Sequence, residues 1–266
     1  MSEQEAWQVT DDAVVLYERS FVPALFAQSA VLLADVAGIE RGDRVLDIGC
    51  GTGIVAREAA KRVGPEGRVV GLDLNPRMLE VARRIAPEIE WQQGDAADLP
   101  FDAAAFNVVV SQYAMMFFPD PSLALREMWR ILAPHGHLAV AVCGPMADTP
   151  GYDALARVAE GVCKPEVVNL LRSPFALGDK ELLARLVDAA GIAGAEIRTH
   201  ECPVRFPSIE ALVHTEVKAS PIREVIDEQS FEALLEGARG SLARYCTGSG
   251  EVAFSMPAHI VSARKP

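Results

Sequence analysis

Long apolar runs are missing from this 266-residue chain. No stretch approaches the ~20 consecutive apolar residues that span a bilayer, so membrane insertion is not expected. The first residues, Met1 to Trp7, are polar and acidic, unlike a secretory leader, and a cytoplasmic location is expected. Positive charge is also scarce: 25 Lys and Arg face 37 Asp and Glu, a formal net charge of −12. Nucleic-acid binding rests on a basic footprint that neutralises phosphates. No Lys/Arg cluster interleaved with aromatics occurs, so no nucleic-acid partner is expected. The five cysteines (Cys50, Cys143, Cys163, Cys202, Cys246) form no C-x-x-C pair, which argues against a zinc knuckle or a disulfide framework. They read as small buried hydrophobes in a reducing compartment, with no metal site. A Walker G-K-[ST] element, internal repeats and low-complexity segments are absent as well.

What is present is an ordinary globular balance, 50% apolar and 23% charged, enough to bury a full core. Residues 1–40 read as helical, with Asp11 and Asp12 capping a segment through Tyr17. A second helical stretch, Phe26 to Ala37, stops at Gly38. From Arg44 onward short apolar runs alternate with helical patterns. The runs are 45–48, 69–72, 89–92, 107–111 and 138–142; the helices are near 54–63, 76–85 and 121–133. The runs are nearly continuous in apolar residues, as in parallel strands covered on both faces. The alternation predicts an α/β fold, a doubly wound, mostly parallel seven-stranded sheet of Rossmann-like type. Beyond Gly144-Pro145, helices are expected over 150–172 and 179–190, then a strand over 194–206. Two or three helices follow over 208–245, split at Pro221 and near Gly237 to Gly240, and a last strand spans Glu251 to Arg264. This places a helical insertion before the closing strand.

Residues 45–53 read Val-Leu-Asp-Ile-Gly-Cys-Gly-Thr-Gly, between a strand and a helix. Glycines at 49, 51 and 53 permit positive φ and close backbone approach to a ligand, and the helix behind them offers free N–H groups. At ordinary residue frequencies D-x-G-x-G-x-G arises by chance about 0.005 times in such a chain. A nicotinamide dinucleotide fingerprint, G-x-G-x-x-G, would need glycine at position 54, which is Ile54. A second acid, Asp73, ends the next strand, where a carboxylate accepts from ribose hydroxyls. Asp95 follows the third. Asp47, Asp73 and Asp95 are therefore expected to converge on the crevice at the carboxyl ends of the strands.

Val45 to Gly53, Gly71-Leu72-Asp73, Gly94 to Phe101 and Ala124 to Val142 closely resemble the class I S-adenosylmethionine-dependent methyltransferases. The nearest likeness is to the small-molecule group that includes the ubiquinone/menaquinone C-methyltransferases. The likeness covers roughly residues 40–145 and implies S-adenosyl-L-methionine as cofactor. It implies one domain over 1–266, made of a helical cap (1–40), a cofactor-binding core (41–145) and substrate-side helices with closing strands (146–266). It further implies that Gly49 and Gly51 meet the methionine part, and that Asp73 holds the ribose with Leu74 against the adenine. Asp95 and Ala96 would flank the adenine amino group, Gln112 the amino-acid end, and Tyr17 would close the site. Pro134-His135-Gly136 departs from the usual Pro-Gly-Gly turn before the fifth strand.

No residue is assigned as catalytic. His135 and His137 fall on the wrong face, His200 and His259 lie in strands, and His214 and Tyr113 are the two candidates for touching substrate. Tyr113 to Pro119, with Cys143 and Met146, predict an apolar rim and hence a small apolar or aromatic acceptor. Two alternatives remain at this stage: a non-catalytic S-adenosylmethionine-binding module, and a nicotinamide-dependent oxidoreductase. The acceptor's identity and the oligomeric state are left open.

Overall fold

The computed structural model describes residues 11–266; Met1 to Trp7 lie outside the described residues. Seven strands form one sheet in the order β3-β2-β1-β4-β5-β7-β6. They are β1 (Arg44–Ile48), β2 (Arg68–Asp73), β3 (Glu90–Gln93), β4 (Phe106–Gln112), β5 (Leu132–Cys143), β6 (Glu196–Phe206) and β7 (Val252–Arg264). The first five run parallel, with Val45 paired to both Val69 and Val108. β7 is inserted antiparallel between β5 and β6. The chain order reverses between β1 and β4, which opens a crevice at the carboxyl ends of these strands.

Helices α1 (Asp11–Leu16), α2 (Ala27–Val36), α3 (Ile54–Val63), α4 (Pro76–Ile85) and α5 (Pro121–Ile131) belong to this first half. The local chemistry of their starts is plain. Asn75 and Asp120 accept from the backbone N–H groups of Arg77 and Leu123, and a proline opens each helix, where a missing N–H costs nothing. The second half adds α6 (Pro150–Val162), α7 (Pro165–Arg172), α8 (Lys180–Ala189), α9 (Ile209–Lys218) and α10 (Glu228–Leu242). The last two form the insertion expected before the closing strand.

Several expectations need correction. The two N-terminal helices are one continuous helical stretch, with Asp11 and Asp12 inside its first turn. Between α1 and α2, Tyr17–Phe26 is wound more loosely: Ala27 N–H reaches back five residues to Val22 O, and Pro23, with no N–H to give, sits in the widened part. The merged segment Asp12–Val36 has the length and apolarity to cross a membrane, but here Ala30, Leu33 and Ala34 are fully buried in the core. Pro134-His135-Gly136 is a kink inside β5 rather than a turn before it. His135 takes φ +64°, and the pairing to β4 jumps from Leu132 to His137. α10 runs straight through Gly237 and Gly240. At Gly237 a Cβ would lie 2.4 Å from Val158 Cγ1, so this glycine lets α10 approach α6 instead of breaking the helix. All five cysteines are free, Cys163 and Cys246 only half-buried.

Candidate active site

The glycine loop takes the shape its residues demand. Gly49, Gly51 and Gly53 have φ of +66°, +54° and +89°, conformations that L-residues adopt only with strain. Cys50 N–H donates to Leu72 O, tying the loop to β2. Asp73, at the end of β2, accepts from Gly51 N–H at 2.7 Å and from Asn75 N–H at 2.8 Å. Burial pushes its carboxyl above the ordinary aspartate value, while the two backbone donors work the other way.

Asp47 behaves differently from Asp73. It is 1% exposed and does not reach the crevice. Its carboxylate turns behind the loop and accepts from Ala56 N–H at 3.0 Å, satisfying one free donor in the first turn of α3. Of the three acids expected to converge, only Asp73 and Asp95 line the crevice. Burial drives the Asp47 carboxyl up to about 7. An acid whose folded pKa lies above its unfolded value binds more protons in the native state, so stability is lost as pH rises from about 4 to about 7. We expect the melting temperature of Asp47→Asn to fall less between pH 5 and pH 7 than that of the parent. The carboxylates held low, such as Glu127 and Asp227, act alike in parent and variant and cancel in the difference. The difference between parent and variant cancels the opposing contribution of His259, whose pKa burial lowers. Parallel melting curves at both pH values would contradict the assignment.

All eight residues expected at a ligand (Tyr17, Gly49, Gly51, Asp73, Leu74, Asp95, Ala96 and Gln112) line one cavity. Tyr17 lies over the loop, where a Cβ on Gly51 would sit 3.5 Å from its hydroxyl oxygen. Its ring packs against Phe21 and Phe26. Gln112 donates to Phe26 O at 3.2 Å, tying β4 to the same helical segment. Asn75 also lines the cavity, and its side-chain Nδ2 is buried without a partner among the described residues. No local pattern singles it out, because a helix-capping asparagine needs only its oxygen.

The remaining wall is mostly apolar. Phe21, Phe26, Phe117, Phe118, Phe175 and Met256 contribute to it, and no lysine, arginine or histidine does among the described residues. Of the expected rim, Tyr113, Ala114, Phe117, Phe118 and Cys143 are in place. Met115 and Met116 are instead core residues, and Met146 borders a separate open hollow. Tyr113, at φ +51°, has its hydroxyl 3.1 Å from Ser29 Oγ and donates to it. Burial raises its pKa far above the phenol range, which disqualifies it as a base near neutrality. His214 is exposed, stacked edge-on against Phe231 and away from the cavity. His259 is a satisfied core histidine between Thr199 Oγ1 and Gly178 O, both at 3.0 Å.

One pair at this end was not anticipated. Tyr152 on α6 donates its hydroxyl to Glu216 Oε1 on α9, and both line the cavity. Glu216 is 9% exposed, and burial pushes its carboxyl up to about 7. The signal was legible: Ile209, Leu212, Val213 and Glu216 share one helical face at i, i+3, i+4 and i+7, so a charge interrupts an otherwise apolar stripe.

Comparison with known proteins places this geometry. The methyltransferase-domain family matches residues 45–136. Nocamycin O-methyltransferase of Saccharothrix syringae is 33% identical over 223 residues, 77% of this chain and 78% of that protein. A demethylmenaquinone methyltransferase of Staphylococcus carnosus is 32% identical over 175 residues, covering 60% of this chain and 72% of its own. The fold is shared with phosphoethanolamine N-methyltransferase 2 of Haemonchus contortus, solved with S-adenosyl-L-methionine. That match has a TM-score of 0.62 at 18% identity, over 97% of this chain and 57% of that one. With its D-x-G-x-G-x-G loop and the strand order of its sheet, the chain belongs to the class I S-adenosylmethionine-dependent methyltransferases.

Proposed function

We propose that this methyltransferase acts on a small, uncharged, apolar or aromatic acceptor. The observation that carries the reading is the division of the one cavity. One end is made of glycine backbone and two carboxylates; the other is aromatic and aliphatic apart from the Tyr152–Glu216 pair, with no cation in its lining among the described residues. A phosphate or carboxylate would enter this space unpaired, at a cost of several kcal/mol in desolvation. The relatives named above act, by their names, on nocamycin and demethylmenaquinone.

The polar end fits the cofactor. Asp73 is positioned for the ribose hydroxyls, with Leu74 and Ala96 as walls for the adenine and Asp95 beside its amino group. Asn75 Nδ2, buried and unpartnered, is a donor available to the same nucleoside. Gly49 and Gly51 present backbone to the methionine part: a Cβ on Gly49 would meet Ala114 Cβ at 2.4 Å, so only glycine leaves that wall open. Gln112 and Tyr17 complete the enclosure. S-adenosylmethionine supplies a methyl that is already electrophilic. The chain's task is therefore to hold the acceptor atom in line at about 3–3.5 Å and to keep water out. Tyr17, Phe21 and Phe26, carried on the loosely wound helical segment, cover the cavity and serve that exclusion.

A turnover screen over phenols, quinones, amines and carboxylic acids, read as S-adenosylhomocysteine formed, tests the acceptor class. Neutral aromatic compounds are expected to lead it. A phosphorylated or carboxylate acceptor turned over most efficiently would overturn the reading.

A further inference from the structure

We infer that Glu216, steered by Tyr152, is the proton acceptor of this enzyme, and that the acceptor substrate carries a hydroxyl group which the pair binds and deprotonates. The inference rests on the methyltransferase reading of the cavity and extends it to the bond that is made. A carboxylate facing an apolar cavity costs stability unless something compensates it. Glu216 forms no ion pair among the described residues, and Tyr152 meets Oε1 alone. Oε2 has no protein hydrogen bond among the described residues. His214 and Lys218, on the same helix, turn to Phe231 instead. The phenol is itself fixed: its ring packs between Phe175 and Phe254, with centroids 5.5 and 5.6 Å away. Gly151 makes that contact possible, since a Cβ there would lie 2.2 Å from the Phe254 ring. The result is a rigid donor–acceptor pair in an aromatic wall, suited to one hydroxyl.

The balance of the step is simple. Glu216 takes the hydroxyl proton as the acceptor oxygen, using its own lone pair, forms the new O–C bond to the methyl carbon. The C–S pair departs with the sulfur, which becomes a neutral thioether, and the proton leaves Glu216 for solvent after product release. A base is most effective when its pKa lies near the working pH, and burial places Glu216 close to 7. The titratable groups coupled to it are Tyr152 on α6 and Cys143 on β5, both raised by burial far above neutrality. They stay protonated throughout; Asp47, also raised to about 7, lies behind the glycine loop and is told apart because its titration survives in Glu216→Gln.

The test uses the full chain with Glu216→Gln and Tyr152→Phe, both checked by thermal melting. In the first arm, 2-naphthol and 2-methoxynaphthalene are titrated onto protein loaded with S-adenosylhomocysteine. The parent is expected to bind the naphthol at least fivefold more tightly, and both variants to lose the preference while S-adenosylmethionine affinity stays within twofold. Equal binding of the two probes by the parent, or binding of neither, would overturn the proposal. In the second arm, hits from the acceptor screen are expected to be O–H compounds. Their kcat/KM should fall at least tenfold in Glu216→Gln, and the limb near pH 7 should disappear. Hits confined to amines or carboxylic acids, or full activity in Glu216→Gln, would also sink it. Intact S-adenosylmethionine binding with no hydroxyl preference refutes this inference alone, whereas loss of that binding in the parent refutes the underlying reading.

Discussion

Asp73→Ala is expected to weaken S-adenosylmethionine binding by about 10- to 150-fold, or about 1.5–3 kcal/mol. The effect is large because this carboxylate does two jobs. It is the acceptor proposed for the ribose hydroxyls, and it already orders the site by accepting from Gly51 N–H and Asn75 N–H. Removal deletes a charge-assisted partner for the ligand and leaves the glycine loop tied to β2 by the Cys50 N–H to Leu72 O bond without its Gly51 anchor. Asp73→Asn keeps one oxygen for those amides but offers the ribose only half the acceptor capacity, and it should fall between parent and alanine variant. Calorimetric titration with S-adenosylmethionine and S-adenosylhomocysteine on folded protein measures both. Unchanged affinity in Asp73→Ala would refute the ribose assignment.

The second large effect concerns a residue that need not touch the ligand. Gly71→Ala should cost roughly 2–4 kcal/mol of stability, lowering the melting temperature by about 5–15 °C. A Cβ at this position in β2 would lie 2.3 and 2.4 Å from two ring carbons of Trp91 and 3.1 Å from Cys50 Sγ. The ring has no easy retreat. Trp91 Nε1 donates to Ala86 O at 2.9 Å, and the far side of the indole fills the space over Gly53, where a Cβ would come within 2.1 Å. One indole thus sets the spacing between β2 and the glycine loop. Shortening it should relieve the clash, so Gly71→Ala combined with Trp91→Leu should melt close to Trp91→Leu alone. If Gly71→Ala melts within about 2 °C of the parent, this account of the packing is wrong.

Much of the fold was readable along the chain. The helices expected at 54–63 and 76–85 run over those residues, and the strand runs at 45–48, 69–72 and 107–111 lie within β1, β2 and β4. Elsewhere the reading failed where packing overrode local signals. Gly237 and Gly240 looked like breaks, yet α10 continues through both, and at Gly237 the missing side chain leaves room for Val158 on α6. The two expected N-terminal helices end at Tyr17 and begin again at Phe26, and the segment between them carries Pro23. Buried Phe21, Val22, Ala24 and Leu25 hold it helical against the core. In the site, Asp73 and Asp95 were legible from their places at strand ends. Asp47 was misjudged, because alternation along a strand does not say whether a helix terminus waits behind the next loop. His214 was considered on α9, while the informative residue was two positions on, at Glu216.

The order of strands and helices, the glycine loop and the two acids that face the crevice are written along the chain. These depend on backbone conformation and side-chain period, which neighbouring residues set among themselves. Long-range packing lays Tyr17 over the loop, turns Asp47 to cap α3, and brings Tyr152 to Glu216 across 64 positions of chain. Contacts of that span are fixed by how buried faces fit against one another in three dimensions, and no local pattern of residues encodes that fit.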